Sequence, residues 1–174
     1  MKSAATETIM MTSTSDSGTG PTPHGPMTER TWKEARAVRR RLASGAVQIF
    51  GDTRVPTVTL LLCTGAVSVG AGSVDAITDP IVHVRPGGSV TLRAHTTAVV
   101  IAVSVPAAGE AVALDGLEGL DSTSWRLIEP SAYVDGLRGL VVTLLDDDTA
   151  GSPTDDALVE RILGQAVAGV AVRY

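Results

Sequence analysis

Ala98-Val-Val-Ile-Ala-Val-Ser-Val105, closed by Pro106, is the stretch from which the fold is read. Five of its eight residues are β-branched, which favours an extended backbone. Apolar side chains occupy consecutive rather than alternate positions, as in a strand covered on both faces. Pro106 has no amide proton to give to a ladder and ends the element. Outward from this strand, Val58–Leu62 is a second short apolar run of the same kind. Ala46–Phe50 and Ala66–Val69 alternate, and Thr64-Gly65 is a turn signal between strands. Ile81–Val84, Pro86-Gly87-Gly88 and Ser89–Leu92 together read as a hairpin. Short strands this closely spaced predict a small antiparallel β-barrel or sandwich, with the β core over about 46–106.

Both flanks of that core read as helical. Ahead of it, Trp32, Ala35, Val38 and Leu42 fall on one stripe, and Thr31 with Glu34 fits a capping box. The spacing predicts one helix over about 31–42, with Arg36, Arg39, Arg40 and Arg41 mostly on its solvated side. Behind the core, Tyr133, Leu137, Leu140, Val141 and Leu144 predict a helix over about 131–145, just after Pro130. Thr154 is a good N-cap, with Asp155 and Asp156 where the helix dipole favours anions. The second helix then runs to about Val172 on a stripe of Leu158, Ile162, Ala166 and Val170. Gly164, Ala168 and Gly169 permit a neighbour to approach its backbone closely. The two elements form an α-hairpin over about 131–172. The fold class is therefore α+β: one helix, a β core, then a helix pair. Residues 1–27, rich in Ser, Thr, Gly and Pro, are expected to be a disordered tail, and 28–174 the single domain.

Composition narrows the function. The chain has 174 residues, 44% of them hydrophobic, and a formal net charge of −5. That is ample apolar material for a core. Residues 1–45 carry seven Lys/Arg against four Asp/Glu, whereas residues 110–174 carry four against twelve. An acidic chain does not draw nucleic acid through its overall field, so direct nucleic-acid binding is not expected. No uninterrupted apolar run reaches the roughly 18 residues of a membrane span. A single cysteine, Cys63, excludes an intramolecular disulfide and fits a cytoplasmic setting. Five aromatic residues are too few for a base-stacking or sugar-binding platform.

The searches for reactive sets return little. There is no Walker A loop, no G-x-G-x-x-G and no G-x-S-x-G elbow. An EF-hand opening at Asp146 would put Ala150 and Ala157 where oxygen ligands are required, so that stretch reads as a solvated acidic loop. Cys63 ends an apolar run, which suits a small buried hydrophobe better than a nucleophile. His83 and His95 flank the Pro86-Gly87-Gly88 turn on neighbouring strands. A metal-dependent enzyme built on these two is one alternative, although no HxH pair or nearby Glu completes a ligand set. The expected reading has no catalytic residues, no metal and no cofactor.

The order of elements and several short motifs carry a resemblance. They are the Thr28-Glu-Arg-Thr-Trp-Lys-Glu-Ala-Arg-Ala-Val38 lead, and Asp79-Pro-Ile-Val-His-Val-Arg-Pro-Gly-Gly88 with Ser89–Leu92. With them go the strand ending in Val105-Pro106, then Leu137–Leu145, then the closing Val159–Val172 helix. Over about 28–174 the chain resembles the N-terminal sensory and dimerisation domain of actinobacterial AraC-type transcriptional regulators. The resemblance implies a cupin-like barrel followed by a helical pair that mediates dimerisation. In that family paired helix-turn-helix motifs follow. No stretch here has the length for them, so the resemblance implies a sensor without its own DNA reader. It further implies a non-catalytic, ligand-sensing homodimer. No ligand residue carries over from the family; on the strand reading, a sensor's candidate pocket is the barrel interior, lined by Val58, Leu60, Val82, Val84, Val99 and Ile101. The dimer seam would be Leu158, Ile162, Ala166 and Val170. A structural or interaction subunit is the remaining alternative.

Overall fold

The computed structural model describes residues 24–51, 56–107, 124–147 and 153–173. Residues 1–23 of the expected tail and 148–152 of the acidic loop lie outside them. Among the described residues ten strands precede two helices. The strands are β1 (His24–Trp32), β2 (Ala35–Leu42), β3 (Val47–Phe50), β4 (Thr57–Thr64), β5 (Ala66–Val69), β6 (Ile77–Thr78), β7 (Ile81–Val84), β8 (Val90–Ala94), β9 (Ala98–Pro106) and β10 (Trp125–Ile128). The helices are α1 (Ala132–Asp146) and α2 (Pro153–Arg173).

Every pairing is antiparallel, and the strands form two sheets that do not close into a barrel. The large sheet runs β1-β2-β9-β4-β7-β10 and the small one β3-β8-β5-β6. β9 and β4 hold the centre of the large sheet, which is why their runs are apolar on consecutive positions. Leu60, Leu62, Ile101, Val103 and Val105 point to one face, where α1 and α2 cover them. Leu61, Cys63, Val100 and Ala102 point to the other, against Val67, Val69, Val90 and Leu92 of the small sheet. The molecule thus has three layers and two cores, on either side of one sheet.

The helix expected over 31–42 is instead a β-hairpin, β1 with β2, paired from Trp32↔Ala35 outward. Its two-residue turn, Lys33-Glu34, carries Lys33 at φ 51°, and the Glu34 amide donates to Glu160 Oε2 of α2 at 2.7 Å. The reason for the misreading is a coincidence of periods. Trp32, Ala35 and Leu42 are all buried, but so is Ala37, which a helix stripe does not contain. Alternation puts Ala35 and Ala37 beneath the helices and Arg36, Val38, Arg40 and Leu42 on the sandwich side. β1 also starts at His24, inside the stretch read as tail.

The Ile81–Leu92 hairpin is likewise corrected. β7 belongs to the large sheet and β8 to the small one, so Pro86-Gly87-Gly88 is an arch between layers. The Gly88 amide donates to Arg85 O at 2.9 Å and Gly87 has φ 72°, which tightens the arch.

The C-terminal helix pair forms, but its buried faces are turned from the expected stripes: α2 buries Leu163, Val167 and Val170, and Leu140 of α1 with Leu158 and Ile162 of α2 stay exposed. Ser131 caps α1, accepting from the Val134 amide at 3.4 Å. Val134, Leu137, Val141 and Leu145 face the sheet. Arg30 of β1 donates to the carbonyls of Leu144 and Asp147, and Arg39 of β2 pairs with Asp146 at 2.8 Å. Cations from the sheet thus meet the negative end of the α1 dipole. α2 lies beside α1, and the Tyr133 hydroxyl donates to Ala166 O at 3.0 Å. Gly169 gives room for that ring, because a Cβ there would lie 2.5 Å from the Tyr133 oxygen.

Candidate functional site

A cavity of about 300 Å³ opens at one end of the space between the sheets. Strand alternation builds it. Even-numbered residues of β2 and β9 and odd-numbered residues of β4 face the sandwich, so Arg36, Val38, Arg40, Ala102, Ser104, Thr57 and Thr59 share one wall. Gln48, Ile49, Phe50 and Gly51 form the opposite wall, and Met27 of β1 closes the edge. Along β4 the sandwich face changes from Thr57 and Thr59 to Leu61 and Cys63. Along β9 it changes from Ser104 to Ala102 and Val100. The polar end of each strand lines the cavity, and the apolar end belongs to the dry core.

The charges here are not equivalent. Arg36 Nε pairs with Glu29 Oε1 at 2.7 Å, which neutralises it. Arg40 Nη1 donates to Gln48 Oε1 at 2.5 Å, and Nη2 lies 3.2 Å from Met27 Sδ. Both partners are uncharged. Arg40 Nε is buried and has no hydrogen-bond partner among the described residues. Thr59 Oγ1 and Ser104 Oγ are 2.9 Å apart and hydrogen-bonded. Each hydroxyl has one proton, so one of the two O–H groups remains unused by that bond.

The six residues expected to line a pocket are divided by the large sheet. Leu60 and Ile101 lie in the helix-side core, with Val58 packed at its margin. Val82 and Val84 lie in the sandwich core. Val99 is half-buried on β9, opposite Arg41 and Thr64. None of the six borders the cavity. The sequence signal of this wall is the Arg36-x-Val38-x-Arg40 alternation, which the helical reading of 31–42 hides.

The four expected seam residues also separate. Val170 is fully buried on the sheet-facing side of α2, and Ala166 packs against the same core. Leu158 and Ile162, one turn apart, stay exposed at 46% and 40%, and Leu140 of α1 is exposed at 37%.

His83 and His95 do not meet. His83 is 6% exposed on β7, between Leu60 of β4 and Arg126 of β10, on the helix-facing side. His95 is exposed at the end of β8 in the other sheet. Burial, with help from the Arg126 and Arg85 guanidinium groups, lowers the His83 pKa to about 4. Its ring nitrogens have no hydrogen-bond partner among the described residues. Cys63 is buried, and desolvation raises its thiol pKa to about 12, leaving it an inert apolar group. Among the described residues no three His, Cys, Asp or Glu side chains gather as a metal site, and no helix is long and apolar enough to cross a membrane.

No family model matches this sequence, and no curated protein matches it. Among solved structures the chain is similar to ToxT from Vibrio cholerae, with a TM-score of 0.49 and 11% identity. The match covers 82% of this chain and 58% of that one. The chain therefore spans less than two-thirds of that protein, and a likeness of this degree carries no argument about what the chain binds.

Proposed function

We propose that this chain is a ligand-sensing and dimerisation domain of the kind found in AraC-type transcriptional regulators, without catalysis of its own. The observation that carries the reading is the sandwich cavity, where the half-buried Arg40 guanidinium has no charged partner and no general base stands among the described lining residues. A cavity of about 300 Å³ sits at the small end of ligand sites. The helix pair covers the far face of the same sheet, so occupancy on one side reaches the helices through shared strands. β2 makes the connection most directly: Arg40 borders the cavity, and the adjacent Arg39 pairs with Asp146 of α1.

The partner surface in this reading is the exposed Leu140, Leu158 and Ile162 on the helix pair, seated on a second copy of the chain. The test is the solution mass of the full chain by light scattering. A dimer that Ile162→Glu converts to a monomer is the expected result. A monomer for the unaltered chain at micromolar concentration would overturn the dimerisation part of the reading.

A further inference from the structure

The geometry points to a small monocarboxylate with an apolar body as the ligand of the sandwich cavity. This rests on the sensing reading and deepens it. Three features of the site carry the inference. The first is charge. Two cations border the cavity, but Arg36 is cancelled by Glu29 at 2.7 Å, whereas Arg40 meets only the neutral Gln48 amide and the Met27 thioether. Among the described residues the site therefore offers one positive charge without a carboxylate partner, which matches a monoanion better than a dianionic phosphate monoester.

The second feature is the donor inventory. A guanidinium carries five N–H groups in a planar fork. Arg40 uses one toward Gln48 and one toward Met27, and its buried Nε–H is unused among the described residues. One O–H of the Thr59–Ser104 pair is also unspent. The site thus has surplus donors around a cation, and a carboxylate, which accepts only, supplies what they lack. Leaving Arg40 Nε buried without a partner is costly, and an accepting oxygen relieves it.

The third feature is the remaining wall. Val38, Phe50 and Ala102 give an apolar surface beside the polar group, and the volume of about 300 Å³ admits a body of benzoate or hexanoate size. A purely polar anion would leave that surface without a partner.

The experiment is calorimetric titration of the full chain with benzoate and hexanoate, set against benzamide and hexanamide, their neutral isosteres. The expected result is binding of at least one carboxylate, with its amide weaker by about tenfold or more, the loss of one charge-assisted contact. Arg40→Met should weaken the carboxylate by a similar factor while the amide is unaffected. The isostere comparison on the unaltered chain stands even if that variant fails to fold. Equal affinity for acid and amide would overturn the inference and leave the sensing reading in place. Carboxylate binding that depends on Arg40 but leaves a constant monomeric mass would sustain the inference and sink the regulatory reading. No binding by either acid at millimolar concentration would overturn the inference outright.

Discussion

The two faces of the large sheet come from the same six strands, yet one is sealed and the other opens. On the helix side, β2 contributes Ala35 and Ala37, β9 contributes Ile101, Val103 and Val105, and every one is buried. One residue along, the same strands present Arg36, Val38, Arg40, Ala102 and Ser104 to the cavity. The backbone is common to both faces, so the difference lies in the side chains that alternation delivers to each. The helix side is filled by long apolar groups from α1 and α2. The sandwich side is filled only where the small sheet meets Leu61, Cys63 and Val100, and it runs out of apolar partners toward Thr57 and Thr59. Stability is therefore concentrated on the helix side and at the apolar end of the sandwich, which leaves the polar end free for a ligand.

That contrast is most sharply broken by truncating one residue on each side. Leu163 of α2 is fully buried in the helix-side core, and Leu163→Ala should cost about 3 kcal/mol through lost burial and a residual cavity. Ile49, 62% exposed on the cavity's outer wall, should cost under about 1 kcal/mol when cut to Ala, because little area is withdrawn from water. Chemical denaturation of both variants checks the pair. Equal losses would mean that the two sides are not energetically distinct.

A pH titration probes the sealed side again. The folded pKa of His83 is depressed to about 4 from an ordinary 6.5. The unfolded chain thus binds more protons than the folded one between these values. His83 makes no pH-dependent demand above about pH 6.5 and withdraws stability as pH falls toward 4, by up to about 3 kcal/mol over the window. Stability measured from pH 7 down to 4 should fall in the native chain and fall less steeply in His83→Leu. Parallel curves would show that His83 is not the group responsible.

The same two faces decide what the sequence discloses. β4, β9 and both C-terminal helices are legible because their residues are uniformly apolar or follow a single period. β1 and β2 are not. Trp32, Ala35 and Leu42 are buried in either conformation, and arginines occur on both faces of β2, which hides the alternation. Arg39 serves the α1 terminus, whereas Arg36 and Arg40 serve the cavity. The turn offers no glycine or asparagine to mark it, since Lys33 itself adopts φ 51°. The β7–β8 arch is misread for a different reason: a Pro-Gly-Gly signal marks a reversal without saying whether it stays in one sheet. Apolar strand residues such as Leu60 and Val82 are the groups a core takes first, so they are poor markers of a site. The polar residues that remain at the strand ends line the cavity.

The cavity's own frame is tested by Gly51, which ends β3. It has φ 101°, and a Cβ there would lie 2.3 Å from Gly88 O, a backbone atom of the arch. Both strain and collision oppose any larger residue. Gly51→Ala should cost about 2 kcal/mol. It should also shift the wall formed by Phe50, and so weaken a cavity ligand more than Leu163→Ala does. Stability and ligand titration on the same samples check this. A variant that loses stability while keeping full affinity would show that the arch does not set the wall.

The smallest effect is the most diagnostic of an open face. Thr59 is 2% exposed, and its hydroxyl is bonded to Ser104 at 2.9 Å, beside the cavity. In a sealed core, Thr→Val at one member of such a pair strands the other hydroxyl and costs about 1–3 kcal/mol. Here Ser104 borders the cavity, so water admitted through its mouth can replace the lost partner. Thr59→Val alone should therefore cost no more than about 1 kcal/mol, the net value of a hydrogen bond. The double variant Thr59→Val with Ser104→Ala should cost little beyond that. A double-mutant cycle by denaturation gives the coupling energy directly. If Thr59→Val alone proved much worse than the double change, the stranded Ser104 hydroxyl would have to be dry, and the sandwich would be sealed at both ends.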